Sequence, residues 1–315
     1  MNRRAFVRGI AQGTVAAAAV ASPSYLFAGA GTASRNDYRS IPEATFKTSV
    51  MLWTVSPDLP IEARLEKVAA AGYKNVELIG EFKRWSPDDY LRVNSTCREL
   101  GLQFDATAGV GHGLCNPESR AALLAEVRAM LPLMERLNCP ALILFSGSCP
   151  AGVARGTLRQ SCIDGLQGVA ELVAGKNING QPIRVLVENL DEAQWPGYYL
   201  TSAAEGFEIV KSINHPQVQL LYDLFHGQLA EGNLIQKLEK NLGYVGTIHV
   251  ADVPGRHEPG TGEINYDMVF RKLGELRYNG IVAMEFIPTG DPVARLRGAR
   301  ELAMVAAAQG AGTQS

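Results

Sequence analysis

The chain has 315 residues, 46% hydrophobic and 20% charged, which excludes a charge-dominated disordered polymer and fits one large globular domain. Thirty basic residues against 32 acidic ones leave no cationic surplus for gripping a phosphate backbone, so nucleic acid is excluded as a general partner. Five cysteines (Cys97, Cys115, Cys139, Cys149, Cys162) contain no C-x-x-C pair and read as mostly buried small hydrophobes rather than a metal or disulfide framework.

In chain order, the first feature is Asn2-Arg3-Arg4-Ala5-Phe6-Val7-Arg8, followed by an uncharged, Ala- and Gly-rich stretch from Gly9 to Ala30. This segment resembles a twin-arginine export signal, cleaved after small residues at Ala28-Gly29-Ala30 or Gly31-Thr32-Ala33. Gly13, Ser22, Pro23, Ser24 and Gly29 make it too polar and broken for a membrane anchor, so the membrane is met only as an export precursor. The resemblance implies a periplasmic protein. Removing residues 1–33 takes away three arginines and no acid, leaving 27 basic residues against 32 acidic ones. Residues 34–46 read as a flexible lead-in, 47–308 as the folded domain and 309–315 as a disordered tail.

From Thr48 onward, short β-branched runs alternate with helical patterns. Eight strands are expected: 49–53, 75–79, 103–106, 141–145, 183–188, 218–223, 247–250 and 282–286. Ser86-Pro87 and Asn116-Pro117 each place a capping side chain before a proline suited to a first helical turn. Ser202-Ala203-Ala204-Glu205 has capping-box spacing, and Gly72 and Gly101 stand where helices end. Strands alternating with helices pair in parallel through right-handed crossovers. Eight such units fit a closed α/β barrel, the (β/α)8 TIM barrel, as a single domain. An open doubly wound sheet would carry a glycine-rich turn after its first strand, whereas Met51-Leu52-Trp53-Thr54-Val55-Ser56-Pro57 has none.

Active sites of such barrels lie at the carboxyl ends of the strands. Strand five ends at Glu188, strand six at Asp223, strand seven reaches His249 near its end, and strand eight reaches Glu285. One acid after a strand is an ordinary helix cap; four ligand-type residues on consecutive strands are not. Three clustered carboxylates would drive one another's pKa values upward unless neutralised. Neutralisation comes either from one divalent cation or from buried salt bridges to residues such as Arg184 and Arg256. Oxygen donors plus one imidazole suit Mn²⁺ or Mg²⁺ foremost, with Co²⁺ or Zn²⁺ acceptable.

Three stretches carry a specific likeness: Tyr222-Asp223-Leu224-Phe225-His226-Gly227-Gln228, the run from His249 through Arg256, His257 and Glu258 to Tyr266, and Trp195-Pro196-Gly197-Tyr198-Tyr199-Leu200. Together they resemble the hydroxypyruvate isomerase family of the xylose-isomerase-like TIM barrels, over roughly residues 47–306. The resemblance implies metal ligands at Glu188, Asp223, His249 and Glu285, with Glu188 and Glu285 as the catalytic carboxylates. It implies an aldose–ketose type isomerase working beside a carbonyl through an enediolate, converting hydroxypyruvate to tartronate semialdehyde. Bacterial members commonly have Gln where this chain has His249, whereas related ketose 3-epimerases have His. A periplasmic epimerase, isomerase or lyase acting on a sugar is therefore the alternative. A binding protein without catalysis would be expected to have lost a ligand, and all four are present.

His226, three residues after Asp223, resembles the histidine that holds a substrate oxygen in this superfamily. Arg256 could take a carboxylate or a sugar hydroxyl, or form a surface salt bridge. Trp53 could wall the pocket or pack in the core, and His257 and Glu258 are further substrate-binding candidates. His112 is the one histidine placed to extend the site toward more metals, while His215 reads as loop surface. With five histidines in all, the several ligands of a three-zinc apurinic endonuclease are not available. The substrate is thus a small hydroxy-keto acid or sugar, and a homo-oligomer is compatible with the reading. If the Arg3-Arg4 segment directs export, mass spectrometry of the periplasmic fraction finds a mature N-terminus between about Gly31 and Arg35, and replacing both arginines by lysine traps the precursor. Unchanged export in that double variant would sink the assignment.

Overall fold

A computed structural model describes residues 44–312, and the proposed signal segment lies outside the described residues. Eight parallel strands close into one barrel in sequence order: β1 (Lys47–Met51), β2 (Asn75–Ile79), β3 (Gln103–Ala108), β4 (Ala141–Phe145), β5 (Arg184–Glu188), β6 (Val218–Asp223), β7 (Val245–Val250) and β8 (Ile281–Met284). β1 pairs with both β2 and β8, which completes the ring. The principal crossover helices are α1 (Ile61–Ala70), α2 (Pro87–Leu100), α3 (Arg120–Leu137), α4 (Arg155–Val173) and α5 (Ala203–Ile213). They continue with α6 (Leu224–Ala230), α7 (Leu234–Asn241), α8 (Tyr266–Glu275) and α9 (Pro292–Ala311). The expected TIM barrel is the observed fold. No helix among the described residues is long and apolar enough to cross a membrane.

Strands of a parallel barrel are covered on both faces, so they read as continuous apolar runs rather than alternating ones. Val50, Val76, Leu142, Val185, Leu220, Ile248 and Val282 turn outward into the layer beneath the helices. Met51, Ala106, Ala141, Ile143, Leu186 and Leu221 fill part of the lumen. The β2–β3 register shifts between Val76 and Glu77, so Val76 faces Phe104 while Glu77 faces Ala106. Asp105, the residue passed over, turns inward and accepts a hydrogen bond from Ser49 Oγ at 2.7 Å.

The local signals hold with adjustments. Ser86 and Asp89 form a reciprocal capping box at the start of α2. Asn116 caps a short 3₁₀ turn instead, and α3 begins only at Arg120. Ser202 caps α5 by accepting from Glu205 N–H, but the Glu205 carboxylate turns to Tyr199 and Arg155 instead of closing a capping box, and the Glu231 carboxylate accepts from Ala203 N–H and Ser202 Oγ–H. β1 stops two residues before Trp53, which sits on a 3₁₀ turn spanning Leu52–Thr54. β8 stops at Met284, although Glu285 N–H still donates to Val250 C=O at 3.0 Å and so extends the ladder by one bond. Four of the five cysteines are buried; Cys149 is exposed.

At the two ends of the domain the boundaries move outward. Phe46 is buried and packs against Tyr278, with ring centroids 6.4 Å apart, so residue 46 belongs to the folded domain. At the other end α9 runs on through Gln309, Gly310 and Ala311, residues expected to lie in the tail. The reason is close packing of α8 on α9. A Cβ on Gly274 would sit 1.9 Å from the Ala307 carbonyl oxygen, and one on Gly310 would sit 1.9 Å from that of Arg271. Gly274→Ala should therefore destabilise the fold by about 1–3 kcal/mol through overpacking, despite alanine's better helix propensity. Urea denaturation measures this, and a midpoint at or above wild type contradicts the packing account.

Candidate active site

Glu188, Asp223, His249 and Glu285 converge at the carboxyl end of the barrel, each offering a ligand atom within 4.8 Å of the others. All four are buried, with exposures between 1% and 5%. Strand register explains the convergence: Asp223 lies opposite His249 across β6 and β7, and His249 opposite Ala283 across β7 and β8, two residues before Glu285. His249 Nδ1 is 2.7 Å from Glu285 Oε2, 3.5 Å from Glu188 Oε1 and 4.0 Å from Asp223 Oδ2. Three carboxylates and one imidazole nitrogen form a hard, compact donor set that fits a divalent cation such as Mn²⁺ or Mg²⁺.

Asp223 both caps a helix and faces the cluster. Its Oδ1 accepts from His226 N–H at 3.1 Å and caps α6, while Oδ2 faces the cluster. Asn189, which sequence reasoning passed over, fixes the Asp223 backbone: its side-chain oxygen accepts from Asp223 N–H and its amide donates to Asp223 C=O, both at 3.2 Å. The one signal in the sequence was its place directly after Glu188; the structure shows it fully buried.

Arg256 reaches into the cluster from the loop after β7. One Nη lies 2.7 Å from Glu285 Oε2 and 3.4 Å from Asp223 Oδ2, and the other donates to His226 Nε2 at 2.9 Å. The guanidinium also lies over the rings of Phe225, at 5.0 Å, and Trp53, at 5.7 Å. So Arg256 is not a surface arginine. With Nε2 accepting from Arg256, His226 carries its proton on Nδ1 and donates it to Asp191 Oδ2 at 2.5 Å. Asp191 is a second residue that sequence reasoning missed. Trp53 packs against the apolar lumen and also reaches the cluster, where its indole N–H donates to Glu285 Oε1 at 2.8 Å.

The charges act on one another in opposite ways. Burial raises the Glu188 carboxyl above its ordinary value; hydrogen bonding to His249 opposes this, and the nearby Glu285 and Asp223 charges add to it. Burial also works against the Glu285 charge, but Arg256 and His249 outweigh it and hold that carboxyl well below the usual carboxylate range. Desolvation disfavours charge on His249, yet Glu77, Glu285 and Glu188 around it push its pKa well up. For Asp191, burial is outweighed by hydrogen bonds from His226 and Gln194 N–H, and the carboxyl falls below its ordinary value.

Asp252 builds the loop that delivers Arg256. Its carboxylate accepts from four backbone N–H groups, those of Val253 (2.9 Å), Gly260 (2.9 Å), Gly262 (2.9 Å) and Ile264 (3.0 Å). Gly262 is required by contact, because a Cβ there would lie 2.0 Å from the Val253 carbonyl oxygen. His257 and Glu258, the further substrate-binding candidates, hydrogen-bond within this scaffold and lie outside the four-residue cluster. The His257 ring donates from Nδ1 to Ile287 C=O at 2.8 Å, and Glu258 accepts from Thr289 N–H at 3.0 Å while facing Arg295 at 3.1 Å. His112 is likewise remote from the cluster. It pairs with Glu126 at 3.1 Å on the surface, and the four-residue cluster is the one candidate metal group among the described residues. His215 accepts from Gln217 N–H in a loop.

The family model described as xylose isomerase-like TIM barrel matches residues 65–306. The chain belongs to that family. It is 30% identical over 244 residues to 2-oxo-tetronate isomerase of Pectobacterium atrosepticum, an alignment covering 76% of this chain and 90% of that protein. It is 28% identical over 247 residues to hydroxypyruvate isomerase of Escherichia coli, covering 75% and 91% respectively. Among solved structures it resembles an AP endonuclease, family 2, from Brucella melitensis, with a TM-score of 0.70 at 26% identity, covering 80% of this chain and 96% of that one. The chain is thus an enzyme of an isomerase family, as its three motifs imply.

The loop staple yields a direct test. Asp252→Ala strands buried N–H groups and should cost roughly 2–4 kcal/mol in chemical denaturation, with Asp252→Asn milder because one acceptor oxygen remains. A loss below about 0.5 kcal/mol in Asp252→Ala would show that the loop holds its shape by other means.

Proposed function

We propose that the protein is a metal-dependent isomerase that moves a proton beside the carbonyl of a small hydroxy-keto acid, converting hydroxypyruvate to tartronate semialdehyde or acting on its four-carbon analogues. The observation that carries this reading is the pairing of two buried carboxylates, Glu188 and Glu285, in one metal-fitting cluster with the Arg256 guanidinium 2.7 Å from Glu285. A guanidinium at the reacting end of a pocket is suited to hold a substrate carboxylate. Both relatives named above bear the names of isomerases, one of a 2-oxo acid and one of hydroxypyruvate.

Glu188, Asp223, His249 and Glu285 would hold the ion, whose charge would polarise the substrate carbonyl and its neighbouring hydroxyl and so acidify the C–H between them. The chain's own residues do the rest. Glu188 and Glu285, the two carboxylates that flank one cluster, are the pair suited to take the proton and return it. His226, oriented by Asp191, and Arg256 hold substrate oxygens, and the Trp53 indole fixes the rotamer of Glu285. Return of the proton to the neighbouring carbon gives isomerisation, and return to the opposite face gives epimerisation. The second reading, a ketose 3-epimerase, is favoured by one feature, the imidazole of His249 at the position where bacterial hydroxypyruvate isomerases commonly have Gln. The export signal would place either reaction in the periplasm.

Incubating the purified protein with Mn²⁺ and hydroxypyruvate, 2-oxo-tetronate or a ketose in D₂O tests both readings by NMR. Deuterium is expected at the carbon beside the carbonyl, with the keto acids turned over in preference to the ketoses. Glu285→Gln and Glu188→Gln should each lower kcat by roughly 10² or more, with metal occupancy measured in both variants. Arg256→Lys should raise KM for the keto acids more than for ketoses. Conversion without exchange, with hydride retained, would refute proton transfer, and preference for a ketose would favour the epimerase.

A further inference from the structure

We infer that Glu77 is a positioning residue that decides which nitrogen of His249 is offered to the metal. The inference rests on the cluster being a metal site. The imidazole is held end to end between acids: Nδ1 faces Glu285, Glu188 and Asp223, and Nε2 lies 2.7 Å from Glu77 Oε2 on the other side. A neutral imidazole carries a single N–H, so a nitrogen that ligates must leave its partner as the donor. Glu77 settles the choice. It is fully buried in β2, no Lys or Arg among the described residues forms an ion pair with it, and its second oxygen, Oε1, has no hydrogen-bond partner.

A carboxylate buried without a donor is strongly disfavoured, so Glu77 draws the ring proton to Nε2. The Nδ1 lone pair then points at the cluster. The opposite tautomer would put an N–H where the ligand atom belongs and would leave Glu77 facing an acceptor with no other donor, whereas Glu285, as close to Nδ1 at 2.7 Å, is also held by Arg256 and the Trp53 indole. Glu77 can reach this place because its strand neighbours in register are Met51 and Ala106, and the small Ala106 side chain leaves lumen space beside it. A carboxylate behind a ligating imidazole fixes ring orientation as well as tautomer, and losing such a partner typically weakens metal binding by about 10–100-fold.

Two measurements test this. In wild type labelled with ¹⁵N-histidine and loaded with Zn²⁺, long-range ¹H–¹⁵N NMR should find His249 protonated at Nε2; a proton on Nδ1 would overturn the inference, and this arm needs no variant. Glu77→Gln can accept from or donate to Nε2, so it no longer dictates the tautomer. Calorimetry should give a Kd for Mn²⁺ raised by about 10–100-fold, while the metal-free Tm stays within about 3 °C of wild type. A folded Glu77→Gln that binds Mn²⁺ within twofold of wild type overturns the role of Glu77 but leaves the metal site standing. Wild type that binds neither Mn²⁺ nor Zn²⁺ overturns both.

Discussion

Burial of like charge is the constraint on which this structure turns. Glu188, Asp223 and Glu285 are brought together where water is scarce, and Glu77 and Asp191 are buried on either side of them. Such a group cannot persist without compensation, because charges removed from water must be paired or neutralised. Each piece of the surrounding architecture answers that need. Arg256 spans Glu285 and Asp223, the His249 ring lies between Glu285 and Glu77, and His226 bonds to Asp191. The donor set is complete for a divalent cation, whose charge would take over much of this work.

Compensation explains the irregular chain around the barrel mouth. Arg256 lies in the left-handed region, at φ 58°, after Gly255 at φ 91°, a path that an ordinary crossover helix could not follow. Four N–H groups gathered on the Asp252 carboxylate hold that path, and His257 and Glu258 tie it to the segment after β8. The motif from His249 to Tyr266 is therefore one device with two parts. Arg256 belongs to the site, and most of the remaining residues hold Arg256 in place.

The barrel was legible in the sequence because parallel strands buried on both faces announce themselves as short apolar runs, and eight of them leave few alternatives. The cluster was legible for the same reason: Glu188, Asp223, His249 and Glu285 interrupt such runs at the end where barrel chemistry lies. Glu77 and Asp105 were not, since a lone acid within a run such as Asn75-Val76-Glu77-Leu78-Ile79 carries no sign of which way it points, and the register shift at Val76 cannot be read in advance. The partners of His257 and Glu258 were not legible either, because adjacency to Arg256 in sequence says nothing about facing the same way across a tight turn. The hairpin of residues 177–178 and 181–182 went unread although Asn179-Gly180 is a strong turn signal, because its strands are only two residues each.

The lumen holds two kinds of residue. Met51, Ala106, Ala141, Ile143, Leu186 and Leu221 make an ordinary apolar filling, while Ser49, Glu77, Asp105, Thr247 and His249 are buried and polar. Three of those polar residues leave an oxygen without a protein partner: Glu77 Oε1, Asp105 Oδ2 and Thr247 Oγ1. A barrel relying on its lumen for stability would not tolerate them, since each such group costs of order 1–3 kcal/mol. Stability must then come from the larger apolar layer between strands and helices, where Val50, Val76, Val185, Leu220, Ile248 and Val282 are all essentially inaccessible. With cohesion held outside the ring of strands, the inside is left available for charge, and chemistry can be placed there without the fold depending on it.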